Sequence, residues 1–495
     1  MRDFRTRLNN GSDTFLHQEV AEPPQISTHG NRRHPNFSRR DFLRAAAASA
    51  GLAAAGVLPV LAQEDELTLP EGTAGTLTVI HPNEYFEKVQ TYFRQALEDF
   101  AADHGVELDA STASPNAFGD FIGKMQAAVA AGNPPDIAYV YGSISIAQMN
   151  ILNLVEDVTD VVDTLETLYG PTMPGPSPQK NAQFDGVWKA IPFFTLCNAW
   201  FGRGDKLEMA GVDPTTELDT YDLRRDAALA ISDPDSNFWG WGLTPNQSGD
   251  GYFFLTEVIN AFGGHYTDES GMIVQFDSPE TLAAVEWLTE LYTSDKYAPM
   301  LPPGILSWTD ISNNEAYLAG AIGLTSNGFS VYAQAKHDEN PVFADTVVLR
   351  SPVTLDGRRQ EFSGNGWLTI FKGAANVELA KELALHLVDP NQFTPMAAEG
   401  GGMFMPAYEQ VWSNQLLEAD PNFTIIRDIV SNPDPYVGHS WPAEPNAAID
   451  AVRASSIPEQ MMANITAGRM APAEAVTNAH NQIVEIFLEG GIMQP

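Results

Sequence analysis

SPNAFGDFIGKMQAAVAAGNPPDIAYVYGS, residues 114–143, is the stretch whose reading decides the fold. Ser114 can cap a helix and Pro115 suits its first turn. Phe118, Phe121, Ile122, Met125, Ala128 and Val129 recur at helical spacing and so share one face. Gly132 and the pair Pro134–Pro135 stop the helix. Ile137 to Tyr141 is then an unbroken apolar run, which suits a strand covered on both faces. In open α/β sheets ligands bind beyond the carboxyl ends of the strands. Tyr141, Gly142 and Ser143 are therefore the first place to seek a site.

Upstream, Leu77–Ile80 reads as a strand. A helix begins near Glu84, with Val89, Tyr92, Phe93, Ala96, Leu97, Phe100 and Ala101 as its buried stripe and Gly105 as its stop. Val106–Ala110 is the next strand. This β-α-β order predicts a parallel sheet flanked by helices. The loop His81–Tyr85 leaves the carboxyl end of the first strand, so it should face the same crevice as Tyr141 and Ser143. Asn83 and Glu84 there have two readings, as ligand contacts or as a helix cap and a dipole partner.

The chain has 495 residues, 44% of them hydrophobic and 18% charged, enough for more than one domain. Its formal net charge is −37, which disfavours nucleic acid and anionic lipid surfaces. The acid is spread along the chain, as a solvated surface would have it; a site for a cation such as a polyamine is the competing reading. The single cysteine, Cys197, lies in the apolar run IPFFTLCNAWF and reads as a core residue. Near the N-terminus, SRRDFLR at 38–44 is followed by the Ala-rich segment 45–62, a twin-arginine export signal with cleavage after Ala62. This segment is too interrupted to span a membrane. No cysteine stands near the cleavage point, so no lipid anchor is indicated.

Further segments come in a telling order. Gly186–Phe201 (GVWKAIPFFTLCNAWF) is followed by Asp205-Lys206-Leu207 and Ala210-Gly211-Val212-Asp213-Pro214. Then come Trp239-Gly240-Trp241-Gly242, the pair Gly263-Gly264, and Asp277-Ser278-Pro279-Glu280 with Ser278 as the cap of the next helix. Asn314–Asn327 reads as a helix turn and a strand, Ser363–Leu385 as a strand and a helix, and Ala448–Phe487 as one or two closing helices.

Together with Gly-x-Pro-Pro-Asp-Ile at 132–137, this order resembles the extracellular solute-binding proteins of ABC importers, the maltose-binding-protein-like sugar-binding family. Phe201-Gly202 departs from the family's usual Tyr-Asn. The resemblance implies an α/β, two-lobed periplasmic-binding-protein fold, each lobe a mainly parallel sheet flanked by helices. Lobe 1 would comprise 63–190 and 338–398, lobe 2 191–337 and 399–495, with crossing strands at a hinge. It implies a monomeric periplasmic or extracellular receptor that captures a carbohydrate and delivers it to a membrane ABC permease. A binder of a cationic solute, or an exported carbohydrate-active enzyme with paired carboxylates, are the alternatives.

Motifs for other chemistry fail. There is no His-Glu-x-x-His and no phosphate-binding glycine loop. Gly438-His439-Ser440-Trp441-Pro442 lacks the second glycine of a nucleophile elbow. The loop from Asp233 has Phe238 where a calcium loop needs glycine. No cofactor and no metal are expected.

A sugar offers hydroxyls at its edge and a C–H surface on its face, so it calls for carboxylates, amides and aromatic plates. On the resemblance, the first lobe supplies Asn83, Glu84, Tyr141, Ser143, Asn365 and Trp367. The second supplies Asp250, Tyr252, Asn327, Phe329 and Trp441. Each aromatic among them has core packing as its alternative. Asp136 reads as structural, and Trp239 and Trp241 as core or lobe surface.

Overall fold

The computed structural model describes residues 67–494 apart from 215, 217, 360, 433–439 and 444–446. The chain divides into Met1–Gln63 and Glu64–Pro495. The export signal lies outside the described residues, as does part of the elbow-like Gly438–Pro442. All the described elements belong to the second unit.

The strands are β1 (Thr76–Pro82), β2 (Glu107–Ala113), β3 (Ile137–Tyr141), a small hairpin β4–β5 (Gln183–Phe184 and Val187–Trp188), β6 (Ile191–Arg203), β7 (Trp239–Trp241), β8 (Ile322–Gly328), β9 (Thr346–Leu349), β10 (Ser363–Ile370) and β11 (Met405–Pro406). The helices that matter here are α1 (Glu87–His104), α2 (Phe121–Ala131), α3 (Tyr221–Ile231), α4 (Gly249–Ala261), α5 (Pro279–Thr293), α6 (Ser312–Leu318), α7 (Ser330–His337) and α8 (Val377–Val388). Three helices close the chain, α9 (Ala447–Ser455), α10 (Ile457–Thr466) and α11 (Pro472–Glu489), rather than the one or two expected. The break between α9 and α10 falls at Ser456, whose φ of 55° interrupts the helix just before Pro458.

The deciding stretch behaves largely as its pattern requires. A 3₁₀ turn, Pro115–Asp120, precedes α2, and Ser114 makes no side-chain cap. Gly132 ends α2 at φ 82°, a left-handed value that costs glycine nothing. Ile137, Ala138, Tyr139 and Val140 are all buried. In α1, Gly105 is the left-handed stop, but Tyr92 of the expected stripe is 42% exposed.

Order across the sheet is β2-β1-β3-β10-β6-β8-β7, with β9 and β11 also paired to β6. β1 lies between β2 and β3 and is parallel to both, and β7 is parallel to β8. β10 runs against both β3 and β6, and β6 runs against β8 and β9, so the sheet as a whole is mixed. The thirteen-residue β6 runs through the middle of this arrangement. Its first half pairs with β10 and its second half with β8.

Two apolar cores flank that strand. One gathers α1, β1, β3, β10, α8 and residues 404–430, together with Phe329 and Tyr332 near the start of α7. The other gathers α3, α4, α5 and the three closing helices. Asp136 is buried just before β3 and acts as a staple. Its Oδ2 accepts from the Thr78 amide at 2.9 Å and the Thr78 hydroxyl at 2.7 Å, and its Oδ1 accepts from the Asn376 amide at 2.8 Å. Cys197 is buried and its thiol is pushed up by burial and by Glu361, so it is an inert core residue.

Candidate functional site

Strand register places the crevice. Tyr141 at the end of β3 lies opposite Gly366, and Gly366 lies opposite Phe194 of β6. Gly328 at the end of β8 lies opposite Asn198 of β6. Because β10 runs against both β3 and β6, β3 and β6 point the same way, while β8 points the other way. The carboxyl ends of β3 and β8 therefore face each other across the short span Phe194–Asn198. Leu196 and Asn198 are half-buried there, alternating with buried Thr195, Cys197 and Ala199. Gly364 pairs with Leu196, and the Phe362 carbonyl accepts from the Asn198 amide at 3.1 Å.

On the β3 side, α1 begins at Glu87 with Phe86 as an N-cap that makes no side-chain bond. Asn83 and Glu84 are thus not helix caps. Asn83 accepts from the Thr112 hydroxyl at 2.7 Å, and its amide donates to the Ala113 carbonyl at 2.7 Å, tying the end of β1 to β2. Glu84 turns toward β3, where the Tyr141 hydroxyl donates to its Oε2 at 3.3 Å. Its Oε1 is buried without a partner in the protein. Burial pushes the Glu84 carboxyl up to about 8, against the opposing pull of the Tyr139 and Tyr141 hydroxyls. The Tyr139 hydroxyl approaches without closing a hydrogen bond of normal geometry. Burial and the Glu84 charge push Tyr141 up in turn. The result is a nearly dry carboxyl with a spare oxygen, able to accept from or donate to a ligand hydroxyl.

Ser143 is exposed in the turn after β3. A Cβ on the preceding Gly142 would lie 2.7 Å from the Asn365 carbonyl oxygen, so the turn packs directly on β10. Asn365 is buried, with its Nδ2 donating to the Pro176 carbonyl at 3.3 Å and its Oδ1 unpartnered. Trp367 is 3% exposed and packs in the first core, as the core alternative to a ligand contact has it.

On the β8 side, Ser248 caps α4 by accepting from the Gly251 amide at 3.0 Å. Asp250 in the first turn donates its amide to Asp310 Oδ1 at 2.9 Å, and its Oδ2 accepts from Asn313 Nδ2 at 2.8 Å. Burial, then the charge of Asp310, pushes Asp250 up to about 7, with the Asn313 bond opposing them. Asn313 also reaches the Thr325 hydroxyl of β8 at 3.5 Å. Its neighbour Asn314 accepts from Asn327 Nδ2. Asp250 and Asn327 are thus joined through consecutive residues of α6.

Three further aromatics named from the sequence stand on this side. Tyr252 is 3% exposed, with the Arg453 guanidinium 5.7 Å from its ring centroid. Phe329 is 2% exposed, its ring 5.3 Å from that of Phe201 and 5.8 Å from that of Tyr332. Trp441 lies against His265 at 4.7 Å and beneath the Arg358 guanidinium at 4.7 Å. His265 directly follows the turn Phe262–Gly264 that ends α4. Asp250 stands at the other end of that helix, about 20 Å away for thirteen residues.

The sequence reading missed Asp310 and Asn313, which precede the segment it began at Asn314. It also missed Phe253 and Phe362, whose rings meet at 5.0 Å beside the crossing. No local signal marks them, since Asp310 and Asn313 meet Asp250 across some sixty residues and Phe253 meets Phe362 only where chain segments cross. Among the described residues no group of His, Cys, Asp and Glu is placed to hold a metal ion, and no helix is long and apolar enough to cross a membrane.

The family model described as bacterial extracellular solute-binding protein matches residues 95–425. No curated protein sequence matches the chain. Among solved structures, maltose-bound MalE3 of T. maritima is 22% identical with a TM-score of 0.64, covering 82% of this chain and 98% of that one. An ABC transporter solute-binding protein from Thermotoga lettingae TMO, bound with alpha-D-tagatose, is 18% identical with a TM-score of 0.64, covering 84% of this chain and 100% of that one. A solute-binding protein from Agrobacterium vitis S4 with bound D-mannitol is 18% identical with a TM-score of 0.64, covering 84% and 99% respectively. At these identities the likeness is one of fold.

Proposed function

The chain belongs to the bacterial extracellular solute-binding protein family, and from that premise we propose that it is the exported receptor of an ABC importer, taking a carbohydrate into the crevice beside β6. One observation carries the reading: the carboxyl ends of β3 and β8 face each other across Phe194–Asn198, and each side brings one desolvated carboxyl, Glu84 and Asp250. The Glu84 carboxyl meets the Tyr141 hydroxyl, and the Asp250 carboxyl meets the Asn313 side-chain amide with the Asp310 carboxylate nearby. That suits the hydroxyl edge of a neutral sugar, whose O–H groups form charge-assisted bonds when the acids ionise. The similar folds holding maltose, alpha-D-tagatose and D-mannitol support the same ligand class.

In this proposal the chain starts in the first lobe and ends in the second, crossing at Asn198, near Phe329, between α7 and β9, near Ser363 and between 432 and 440. That moves the last crossing later than the break after 398 expected from the sequence, because residues 404–430 pack in the first core. Ligand held by one lobe and completed by the other favours the closed arrangement by its difference in affinity for the two. Export by the twin-arginine route and delivery to a membrane permease complete the reading; the sequence at 38–62 and the family support them.

Calorimetry and thermal-shift titration of the purified protein with maltose, D-tagatose, D-mannitol and spermidine test it. Saturable binding of a saccharide that is recovered unchanged is the expected result. Binding of spermidine alone, or conversion of the saccharide, overturns it.

A further inference from the structure

We propose that Glu361 centres a buried clasp, shared by Arg350 and Asn432, that limits how far the two lobes swing apart. Groups with no bond to the ligand would then set part of its affinity. The inference rests on the lobe reading above and adds a conformational control to it.

Strand pairing places this clasp. β8 and β9 both pair with Trp200, so they lie on opposite edges of β6. Gly328 of β8 faces Asn198, while the Asn198 amide donates to the Phe362 carbonyl. The start of β10 is therefore on the edge opposite β8, which is the edge that β9 occupies. β9 ends there opposite Trp200, and β10 begins opposite Cys197. Between them the chain leaves the sheet as a hairpin, bridged at Val353 and Arg359, with Arg350 and Glu361 at its two feet.

The Arg350 fork closes those feet, Nε donating to Glu361 Oε1 at 2.7 Å and Nη2 to Oε2 at 2.5 Å. The hairpin is held to the second core. Arg224 of α3, its guanidinium 4.5 Å from the Trp200 ring centroid, donates to the Arg350 carbonyl. The Val353 amide donates to the Asp219 carbonyl at 2.7 Å, and the Leu355 amide to the Ala261 carbonyl, at the end of α4, at 2.9 Å. The other arm comes from the first core. Asn432 follows the helix Phe423–Val430, which packs there, and its amide donates to the Ile429 carbonyl at 3.1 Å. Its Nδ2 donates to Glu361 Oε2 and to the Arg359 carbonyl, both at 3.3 Å. One carboxylate oxygen thus receives a donor from each side of the crossing.

Glu361 is 1% exposed. A carboxylate so buried needs its donors, and withdrawing one costs more than breaking the same bond in water. Swinging the lobes apart moves the helix before Asn432 against the hairpin feet, and the clasp resists that motion. A narrower ligand-free ensemble holds more of the arrangement that binds, and affinity rises with that fraction.

Small-angle X-ray scattering and calorimetry of the full chain test this, with whichever of maltose, D-tagatose and D-mannitol the wild type binds. The variants are Asn432→Ala, Asn432→Asp, which keeps the side chain's size but replaces its donor with an acceptor, and Ser278→Ala as a control. Both Asn432 variants should enlarge the ligand-free radius of gyration and leave the ligand-bound radius at the wild-type value. They should weaken binding by about threefold or more. Ser278→Ala, which removes the cap of α5, should lower Tm and move neither quantity. A ligand-free radius that is unchanged or smaller in both Asn432 variants overturns the inference and leaves the carbohydrate reading standing. So does a loss of affinity that Ser278→Ala reproduces at equal loss of Tm, or a wild type that binds without any change of radius. A wild type that binds none of the three ligands overturns both.

Discussion

Glu84 and Tyr141, 57 residues apart in sequence, meet at 3.3 Å where β1 and β3 end. The contact turns a loop acid away from the helix it precedes and buries it against two phenols. Its carboxyl is raised to about 8, whereas an unfolded chain holds a glutamate near about 4.3. Between those values the folded protein keeps a proton that the unfolded chain has lost. The group's contribution to stability therefore falls as pH rises through that window and is smallest above pH 8. Glu84→Gln removes the dependence. The Tm of the variant minus that of the wild type should climb between about pH 5 and about pH 9; a flat difference would contradict the burial argument.

Asp310 contributes to the raised Asp250 carboxyl through like charge. Asp310→Asn should lower the Asp250 value toward the ordinary carboxylate range. The acidic limb of saccharide binding, followed by calorimetry against pH, should move down with it. A limb that stays in place would mean that burial alone sets the value.

Asp136 makes its bonds away from the crevice, at the start of β3. Asp136→Ala leaves the buried Thr78 hydroxyl and the Thr78 and Asn376 amides without their acceptor. The expected cost is about 3 kcal/mol or more in urea denaturation, with little change in ligand affinity for the fraction that remains folded.

Gly142 has no room for a side chain, since the Asn365 carbonyl would lie 2.7 Å from its Cβ. Gly142→Ala should push the β3 turn off β10, costing about 1–3 kcal/mol. Because Tyr141 and Ser143 flank it, saccharide affinity should fall as well, as read by the same calorimetric titration.

Trp441 offers a control on the geometry. It packs with His265 and Arg358 at the end of α4 remote from Asp250. Trp441→Ala should lower Tm while leaving saccharide affinity within about twofold.

Several elements were legible because local chemistry and packing agree there. Gly105 and Gly132 sit in left-handed conformations that end their helices. Ser278 accepts from the Thr281 amide at 3.1 Å and starts α5, as its cap position predicts. The aromatics were not legible in the same way. Trp367 and Phe329 lie beside crevice segments in sequence, yet both pack in the first core, and Tyr252 is buried beneath the Arg453 guanidinium. Position along a strand or helix tells which face a residue shares, not which face another layer will cover.

The sequence by itself determined the order of strands and helices, the stops between them, and the family to which that order points, because periodicity, caps and breakers act over a few residues. Only the tertiary structure decided which side chains meet around the β6 crossing. Glu84 reaches Tyr141, Asp250 reaches Asn313, and Trp441 is carried to the far end of α4, all through segments that β6 brings together. Contacts between residues fifty or more positions apart depend on how crossing strands register and which faces are desolvated. Those are properties of the packed whole that no local pattern encodes.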